Sequence, residues 1–352
     1  MEGTSVRIGI VGAGAVFYER HLPNLVAMKD VSVVAIASGS ATSARAAAER
    51  FGIAAIESNW QRLVARADID AVMIGTPPDL QRPISVAALE AGKHVFCEPP
   101  MGLHLADAIE MLGAANRFPN QVSMICRSER RSPYDGYIRS IIQSGELGAI
   151  TAVDVLHTSG SRTQQHAGWR EQVERSGRLT LALDSYAEVL NAWVCPYASL
   201  SAVATTPIAE KRDTAGQPFK VKVPQIVMVL GILENGAAGV EYHGGLSPDL
   251  TTPRDLVTIY GIKGVLRYYF DAREIRLASI GGELKTVEVP AKFRQEARAE
   301  SDFVTAIRRA KLGASWSVGS NLSFREGVAL MRKLEAVHIA AQTGLRVQLS
   351  AL

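Results

Sequence analysis

The chain has 352 residues, of which 47% are hydrophobic and 21% charged, and 38 Lys and Arg residues against 35 Asp and Glu leave a net charge of +3. This length predicts about two domains, and the near-neutral charge argues against a nucleic-acid or membrane-surface protein. The longest apolar run, 226–233, is far shorter than the ~20 residues of a bilayer span, and residues 1–5 lack the features of a signal peptide. We therefore expect a cytoplasmic protein. The three cysteines are far apart in the sequence and predict neither disulfides nor structural zinc.

Short apolar strands alternate with amphipathic helical patterns through the first third of the chain. This alternation is typical of strand–helix–strand units and predicts an α/β fold with a doubly wound parallel sheet of the Rossmann type. The predicted strands are 6–11, 31–37, 71–74, 94–97 and 122–126. The predicted helices between them are 18–28, 41–51, 82–91 and 103–118.

The pattern changes after residue 126, where strand-like runs follow one another with Gly, Pro and Asn between them. We therefore predict two domains, 1–126 and 127–352, the second an α+β domain with a mostly antiparallel sheet. Its predicted strands are 226–233, 239–243, 256–260, 264–270, 274–278 and 284–289, and its predicted helices are 294–310 and 322–343.

The first strand leads directly into the segment Gly12-Ala13-Gly14-Ala15-Val16-Phe17, which precedes a helical pattern. A strand, a glycine turn and a helix in this order form the fingerprint of a dinucleotide site: the first glycine makes the turn, the second lets the backbone approach the pyrophosphate, and the helix supplies amide donors. The third fingerprint position carries Phe17 instead of Gly or Ala. We expect Phe17 to be accommodated by a small displacement of the helix or by pointing into the cleft.

The end of the second strand bears on the choice between NAD and NADP. An Asp or Glu there normally binds the ribose hydroxyls of NAD, but the chain reads Ala37-Ser38-Gly39-Ser40 and has no carboxylate until Glu49. Ser38 and Ser40 can donate to a 2′-phosphate and Arg45 can supply charge, which favours NADP over NAD. The alternative is that Arg45 is an ordinary solvated helix residue.

Several further segments resemble the Gfo/Idh/MocA oxidoreductases, the family of glucose-fructose oxidoreductase and inositol dehydrogenase. They occur in order along nearly the whole chain: GTPP at 75–78, AALEAGKHVFCEPP at 87–100, SGELG at 144–148, GWR at 168–170, ENGA at 234–237 and YGIKG at 260–264. The resemblance implies a Rossmann domain and a C-terminal domain with an open sheet that binds substrate and forms homodimers or homotetramers. It also implies a nicotinamide cofactor near Thr76, Pro77, Glu98 and Pro99.

The residues that carry catalysis in this family are replaced. Its Glu-Lys-Pro signature reads Glu98-Pro99-Pro100 here, so proline occupies the position of the lysine. The family's Asp and His, four residues apart on a helix, align with Ala182 and Tyr186. Because a phenol can both donate and accept a proton, Tyr186 is the best available acid or base.

Other polar residues are weaker candidates for binding the substrate. Arg127 and Arg131 can clamp an anionic group, although such arginines are more often partners in ion pairs. His157, His166 and Trp169 fall in a segment that borders the substrate cleft of relatives, with a structural role for the two histidines as the alternative. The histidines show no metal-ligand spacing, so we predict no metal.

Three hypotheses follow for the function. The first is an NAD(P)-dependent oxidoreductase that transfers hydride to or from a small polar carbonyl or alcohol substrate, with Tyr186 as proton donor. The second is an imine (C=N) or C=C reductase of a biosynthetic pathway, since a protonated imine accepts hydride without an acid for oxygen. The third is a cofactor-binding protein with non-redox chemistry or no turnover.

Overall fold

The computed structural model describes residues 5–128, 131–177, 181–247, 255–294 and 298–352. The chain divides into two compact units, the first made of Met1–Arg127 and Ala297–Met331 and the second of Ser128–Glu296 and Arg332–Leu352. Each unit therefore draws on two separate segments of the chain. The functional division into a cofactor domain, 1–126, and a substrate domain, 127–352, stays a prediction, while the segment 297–331 packs within the first unit.

The helices and strands are numbered in chain order. The first segment contains β1 Val6–Val11, α1 Leu22–Val26, β2 Val31–Ala37, α2 Ala41–Phe51, β3 Ala55–Glu57, α3 Trp60–Val64, β4 Ala71–Ile74, α4 Pro78–Glu90, β5 His94–Cys97, α5 Leu105–Arg117 and β6 Ser123–Ile125. The middle of the chain contains α6 Asp135–Gln143, β7 Ile150–Thr158, α7 Val173–Ser176, α8 Leu183–Trp193, β8 Tyr197–Thr205, β9 Glu210–Arg212, β10 Pro218–Lys220, β11 Ile226–Leu233, β12 Ala238–Gly244, β13 Asp255–Gly261, β14 Gly264–Tyr269, β15 Glu274–Ser279 and β16 Lys285–Thr286. The last part contains α9 Ala299–Lys311, β17 Leu322–Ser323, α10 Phe324–Thr343 and β18 Val347–Gln348.

The first unit is built on a sheet whose strand order, among the described residues, is β17-β6-β5-β4-β1-β2-β3. Neighbouring strands are parallel except β17, which is antiparallel to β6. The strands β1, β4 and β5 are apolar along nearly their whole length because helices cover both faces of such a sheet. The carboxyl ends of β1 and β4 lie side by side where the strand order reverses, which is where ligands of open α/β sheets bind.

The second unit is built on a larger sheet with the order β16-β15-β14-β13-β7-β12-β11-β8-β18 in the described residues. The pair β7 and β12 is parallel, and the other neighbours are antiparallel. Buried and exposed side chains alternate along β11 and β12, as expected when one face of the sheet is covered and the other open.

The structure confirms the predicted fold class, a Rossmann-type parallel sheet followed by a mostly antiparallel one. The five strands predicted in the first unit are present, the last shortened to Ser123–Ile125. The predicted helix 294–310 begins at Ala299, and its residues 295–297 lie outside the described ones. Among the described residues, the strands β3, β7, β8, β9, β10, β17 and β18 were not among the predicted ones. No helix in the described ranges is both long and apolar enough to cross a membrane.

Candidate cofactor and substrate sites

The glycine turn lies at the carboxyl end of β1, against the residues that follow β4. Gly12 has a φ of +99°, and a Cβ on it would lie 2.6 Å from the backbone carbon and oxygen of Gly75 and 2.9 Å from the nitrogen of Thr76. Only glycine combines this left-handed conformation with so close an approach. By contrast, a Cβ on Gly14 would meet nothing within 4 Å. The turn is therefore tightly packed at its first glycine and open at its second.

Phe17 packs into the core and does not point into a cleft. Its side chain is 1% exposed, and its ring is 4.6 Å from that of His21, centroid to centroid. A Cβ on Gly75 would lie only 2.3 Å from two ring carbons of Phe17, so the missing side chain of Gly75 makes room for the ring. Phe17–His21 also form a π-helical turn before α1, which changes the path of the helix. The fingerprint normally has a small residue at its third position, on the helix. In this chain the small residue at the contact is Gly75, which directly follows the neighbouring strand β4.

The start of the helix and Thr76 provide the polar groups of this site. The first hydrogen bond of the helix runs from the Tyr18 amide to the Gly14 carbonyl, 3.0 Å. The amides of Ala15, Val16 and Phe17 precede it, and amides at this position in a helix have no partner within the helix. The hydroxyl oxygen of Thr76 is buried and has no hydrogen-bond partner among the described residues. An open glycine, amides at a helix start and this hydroxyl together fit a dinucleotide phosphate.

The residues expected to choose between NAD and NADP lie at the end of β2 and the start of α2. The Ser40 hydroxyl oxygen accepts a hydrogen bond from the Ser43 amide, 3.2 Å, and so caps the helix. The Ser38 hydroxyl accepts from the Ser40 amide at 3.4 Å. Arg45 is an exposed residue of α2. Both serines therefore have local structural roles, and Arg45 is accessible to a ligand.

Glu98, which follows β5, belongs to a buried network that the sequence did not predict. The Nε2 atom of His21 is 2.8 Å from one carboxylate oxygen of Glu98, and its Nδ1 atom is 2.5 Å from one of Glu300. His21 is fully buried. Burial opposes its protonation, but the hydrogen bonds to Glu300 and Glu98 raise the pKa of His21 above its usual value.

Cys126 lies beside this network. Its sulfur, a Glu98 carboxylate oxygen and a ring nitrogen of His21 lie within 4.8 Å of one another. However, the distance from His21 to Glu98 is that of a hydrogen bond, and the Arg20 guanidinium donates to the sulfur at 3.8 Å. Burial, and to a smaller extent the charge of Glu98, raise the pKa of the Cys126 thiol well above its usual value. We therefore interpret the cluster as a hydrogen-bonded network, and the absence of a metal stays a prediction.

The remaining predicted cofactor residues are Pro77 and Pro99. Pro77 precedes α4 with an extended ψ of 156°, and Pro99 is partly buried. Gln81, fully buried on α4, donates from Nε2 to the Glu98 carbonyl at 2.9 Å and accepts from the Gly102 amide at 2.8 Å. Gln81 thus fixes the backbone on both sides of Pro99.

In the second unit, Tyr186 is fully buried on α8. Its ring is surrounded by other rings: the centroid distances are 5.6 Å to His157, 5.3 Å to His243 and 5.5 Å to Phe270. The structure therefore brings together two of the residues that the sequence singled out, Tyr186 and His157, and adds His243.

Each of these two histidines is paired with a carboxylate. His157 and His243 lie opposite each other on β7 and β12, and Nδ1 of His157 pairs with Asp255. Nε2 of His243 is 2.8 Å from Glu241, which in turn is 2.6 Å from the buried ammonium of Lys333. Burial lowers the pKa of His243 despite Glu241. Its Nδ1 atom is buried and has no hydrogen-bond partner among the described residues.

Of the two arginines proposed to clamp an anion, Arg127 is buried and Arg131 is partly buried. Arg131 pairs with Asp135 and with Glu188, the latter at 3.2 Å. Arg127 is 7% exposed, and its backbone amide bonds the Asn321 side chain at 3.4 Å. The ion pairs of Arg131 favour the structural alternative, and its role in substrate binding stays a prediction.

His166 and Trp169 lie in an irregular segment of the second unit. His166 is exposed and forms an isolated bridge with Arg212. Trp169 begins a short 3-10 turn, and the Arg170 guanidinium lies 4.3 Å from its ring centroid. The buried Glu171 holds this turn by accepting from the Gly168 amide at 2.9 Å.

Comparison with known proteins identifies the family. Residues 6–125 match an oxidoreductase family with an NAD-binding Rossmann fold, and residues 137–267 match the GFO/IDH/MocA C-terminal domain. The chain belongs to the Gfo/Idh/MocA family of oxidoreductases.

Two curated relatives and one solved structure illustrate the similarity. A dTDP-3,4-didehydro-2,6-dideoxy-alpha-D-glucose 3-reductase of Streptomyces violaceoruber is 31% identical over 51% of this chain and 52% of its own. A levoglucosan dehydrogenase of Pseudarthrobacter phenanthrenivorans is 28% identical over 58% of this chain and 56% of its own. The chain thus spans about half the length of the curated relatives it matches. A levoglucosan dehydrogenase solved with NADH and L-sorbose has a TM-score of 0.83 and 23% identity, covering 98% of this chain and 99% of its own, which shows the shared fold.

Proposed function

We propose that this chain is an NAD(P)-dependent oxidoreductase that transfers hydride to or from a small polar substrate, a carbonyl compound or an alcohol. The observation that carries the proposal is the glycine turn, in which Gly12 packs on Gly75 and Thr76 while Gly14 faces open space. Membership of an NAD-binding oxidoreductase family supports it. Relatives whose names include sugar reductases and a levoglucosan dehydrogenase support a small polar substrate.

The residues of the first unit would hold the cofactor at this turn. Gly14 leaves room for the pyrophosphate, and the amides of 15–17 and the Thr76 hydroxyl supply donors. The bound nicotinamide would supply or accept the hydride. For the adenosine end we propose NADP over NAD, because Arg45 is exposed and no carboxylate follows β2 until Glu49.

Gly14→Ala tests the cofactor site without disturbing the fold. Since a Cβ at Gly14 meets nothing within 4 Å, we expect the free energy of unfolding to change by less than about 0.5 kcal/mol. The same Cβ would occupy the path of the pyrophosphate, so we expect the Kd for NADPH and NADH, followed by nucleotide fluorescence, to rise at least about tenfold.

Gly113→Ala, on α5, is the matched control, since a Cβ there meets only the end of the Arg117 side chain at 4.0 Å. It should leave both Kd values unchanged. Unchanged affinity in Gly14→Ala contradicts the site, and absence of binding by the wild type contradicts every redox hypothesis. The ratio of the two wild-type Kd values tests the preference for NADP.

Tyr186 is the proposed proton donor to the substrate oxygen. The histidines His157 and His243 around its ring, each paired with a carboxylate, support a role in acid–base chemistry. A positioned acid or base contributes about 10²- to 10⁴-fold to the rate. We therefore expect Tyr186→Phe to lower kcat for carbonyl reduction by that factor with little change in the Kd for the cofactor, and an unchanged kcat contradicts the assignment.

A second candidate is the reduction of a C=N or C=C bond. The full burial of Tyr186 and the proline at position 99 favour it, because hydride addition to a protonated imine needs no acid for oxygen. A panel of ketones, alcohols and cyclic imines, followed at the nicotinamide absorbance, separates the two. Cofactor binding without turnover of any of them supports the third hypothesis, non-redox chemistry or no turnover.

We also propose assembly into a homodimer or homotetramer through the open face of the larger sheet. On this face Val203 lies opposite Met228 and Leu230 opposite Val240, and all four are at least two-fifths exposed. An exposed apolar patch on neighbouring strands is typical of an interface. Sedimentation velocity measures the mass in solution, and a monomer at micromolar concentration contradicts the proposal. The cytoplasmic location stays a prediction.

A further inference from the structure

His21 joins two carboxylates that come from distant parts of the first unit. Glu300 lies on α9, and Glu98 directly follows β5, so the imidazole bridges a helix and the carboxyl edge of the sheet. The two bonds are 2.5 and 2.8 Å long, and the ring is fully buried between the aromatic rings of Phe17 and Phe96. The backbone of Glu98 is itself fixed, because its amide donates to the Ile74 carbonyl at 3.0 Å. The hydrogen bond with His21, 2.8 Å long, therefore helps to fix the position of the Glu98 carboxylate.

This arrangement favours the protonated form of His21. When both carboxylates are ionised they only accept hydrogen bonds, so both ring nitrogens donate, and only the imidazolium has two N–H groups. The charged or titratable groups that face the ring from the neighbouring elements are Glu300, Glu98, the Cys126 thiol and, on its own helix, Arg20. The negative charges of Glu98 and Glu300 thus balance the positive charges of His21 and Arg20 around the Cys126 thiol. The hydrogen bonds that raise the pKa of His21 and lower that of Glu300, both against the effect of burial, agree with this assignment.

We propose that His21 is a positioning residue for the cofactor site, whose imidazolium holds the Glu98 carboxylate in place beside Pro99 at the edge where the nicotinamide would bind. The inference rests on the proposed function, since it concerns the same site. Its consequence is that Glu98 keeps one position for as long as His21 stays charged. The wild-type Kd for NADH, which unlike NADPH has no phosphate monoester that titrates near pH 6, should therefore be constant between about pH 6 and 8, because His21 stays protonated in this range.

The protonation of His21 can be measured without any cofactor. In protein labelled with ¹⁵N-histidine, we expect the His21 ring nitrogens to show imidazolium shifts at pH 8, assigned by their loss in His21→Gln. A neutral His21 ring at pH 7 would overturn the inference. Glu300→Gln removes one of the two anions, so we expect the midpoint of the His21 titration to move to lower pH. An unchanged midpoint in Glu300→Gln would also overturn it, and these measurements remain possible if His21→Gln does not fold.

Cofactor binding tests the positioning role itself. A glutamine at position 21 removes the hydrogen bond and the charge of His21 that lower the pKa of the buried Glu300. Glu300 then ionises at a higher pH and places a negative charge near Glu98 that no imidazolium balances. In His21→Gln we expect the Kd for the cofactor to weaken about tenfold as the pH rises from 6 to 8, corresponding to about 1.4 kcal/mol. A merely structural role would lower the stability and leave the pH profile flat.

His94→Gln is the matched control. His94 is a buried histidine at the opposite end of β5, where its Nδ1 atom accepts from the Val122 amide at 2.8 Å, and burial lowers its pKa to about 4. We expect the Kd of the His94→Gln protein for the cofactor to stay constant between about pH 6 and 8, as in the wild type. A flat profile in folded His21→Gln overturns this inference alone, whereas absence of binding by the wild type overturns the proposed function and the inference together.

Discussion

The contact between Phe17 and Gly75 gives a quantitative test of how this chain accommodates an aromatic residue in the fingerprint. Phe17 is 1% exposed, so Phe17→Ala removes a fully buried ring and should lower the free energy of unfolding by about 3–5 kcal/mol. Gly75→Ala places a Cβ 2.3 Å from two ring carbons, well inside the ~3.5 Å of a normal carbon contact. Overpacking of this kind costs about 1–3 kcal/mol.

The two costs should not add. Once the ring is removed by Phe17→Ala, the Cβ of an alanine at 75 enters the vacated space. We therefore expect Gly75→Ala to change the stability of the Phe17→Ala protein by less than about 0.5 kcal/mol, which gives a coupling energy of about 1–3 kcal/mol in favour of the double variant.

Urea unfolding of the wild type, both single variants and the double variant measures this coupling, provided the m-values stay equal. Gly113→Ala, made in the wild type and in Phe17→Ala, is the control and should be additive, since its Cβ is remote from Phe17. Additive effects of Phe17→Ala and Gly75→Ala would show that the missing side chain of Gly75 is not what accommodates the ring.

Three further outcomes follow from the second unit. Lys333→Met leaves the fully buried Glu241 without its cation and should cost about 3–5 kcal/mol, part of which Glu241→Gln restores in the same background. Burial opposes ionisation of Glu241, but Lys333 and His243 lower its pKa to about 2, so its contribution to stability is present above pH 4.5 and is lost as the pH falls toward 2. Urea unfolding between pH 2 and 5 should therefore show a weaker pH dependence in Glu241→Gln than in the wild type. Ala182 begins α8 with a left-handed φ of 57°, so Ala182→Gly should raise the free energy of unfolding by about 1 kcal/mol, and a decrease would contradict strain at this residue.

The sequence predicted those parts of the fold that depend on local pattern. The strands β1, β2, β4 and β5 were predicted with their observed bounds, because parallel strands buried on both faces are continuous apolar runs. Strands such as β3 and β17 have only two or three residues and form by pairing with distant segments, which leaves no local pattern.

The site was predictable only where its residues are neighbours in the sequence. The turn of Gly12 and Gly14 was recognised because strand, glycines and helix follow one another. The partners of His21 lie 77 and 279 residues away, so neither its bonds nor its burial could be foreseen from its place in the chain. A possible signal was its spacing of four residues from Phe17, which places both on one face of a helix. Phe17 itself was expected in the cleft or on a displaced helix because nothing local indicates that Gly75 makes room for it.

Pro99 stands where the family resemblance implies a lysine, which limits the acid–base chemistry available at that position. Proline has no side-chain proton to give, and Glu98, the nearest titratable residue in sequence, already accepts a hydrogen bond from His21. Under the proposed function, Tyr186 gives the proton that a substrate oxygen needs, and solvent is the alternative donor. If Tyr186→Phe keeps full activity toward ketones, Tyr186 is not the donor, and if only imines are reduced, no donor at oxygen is required.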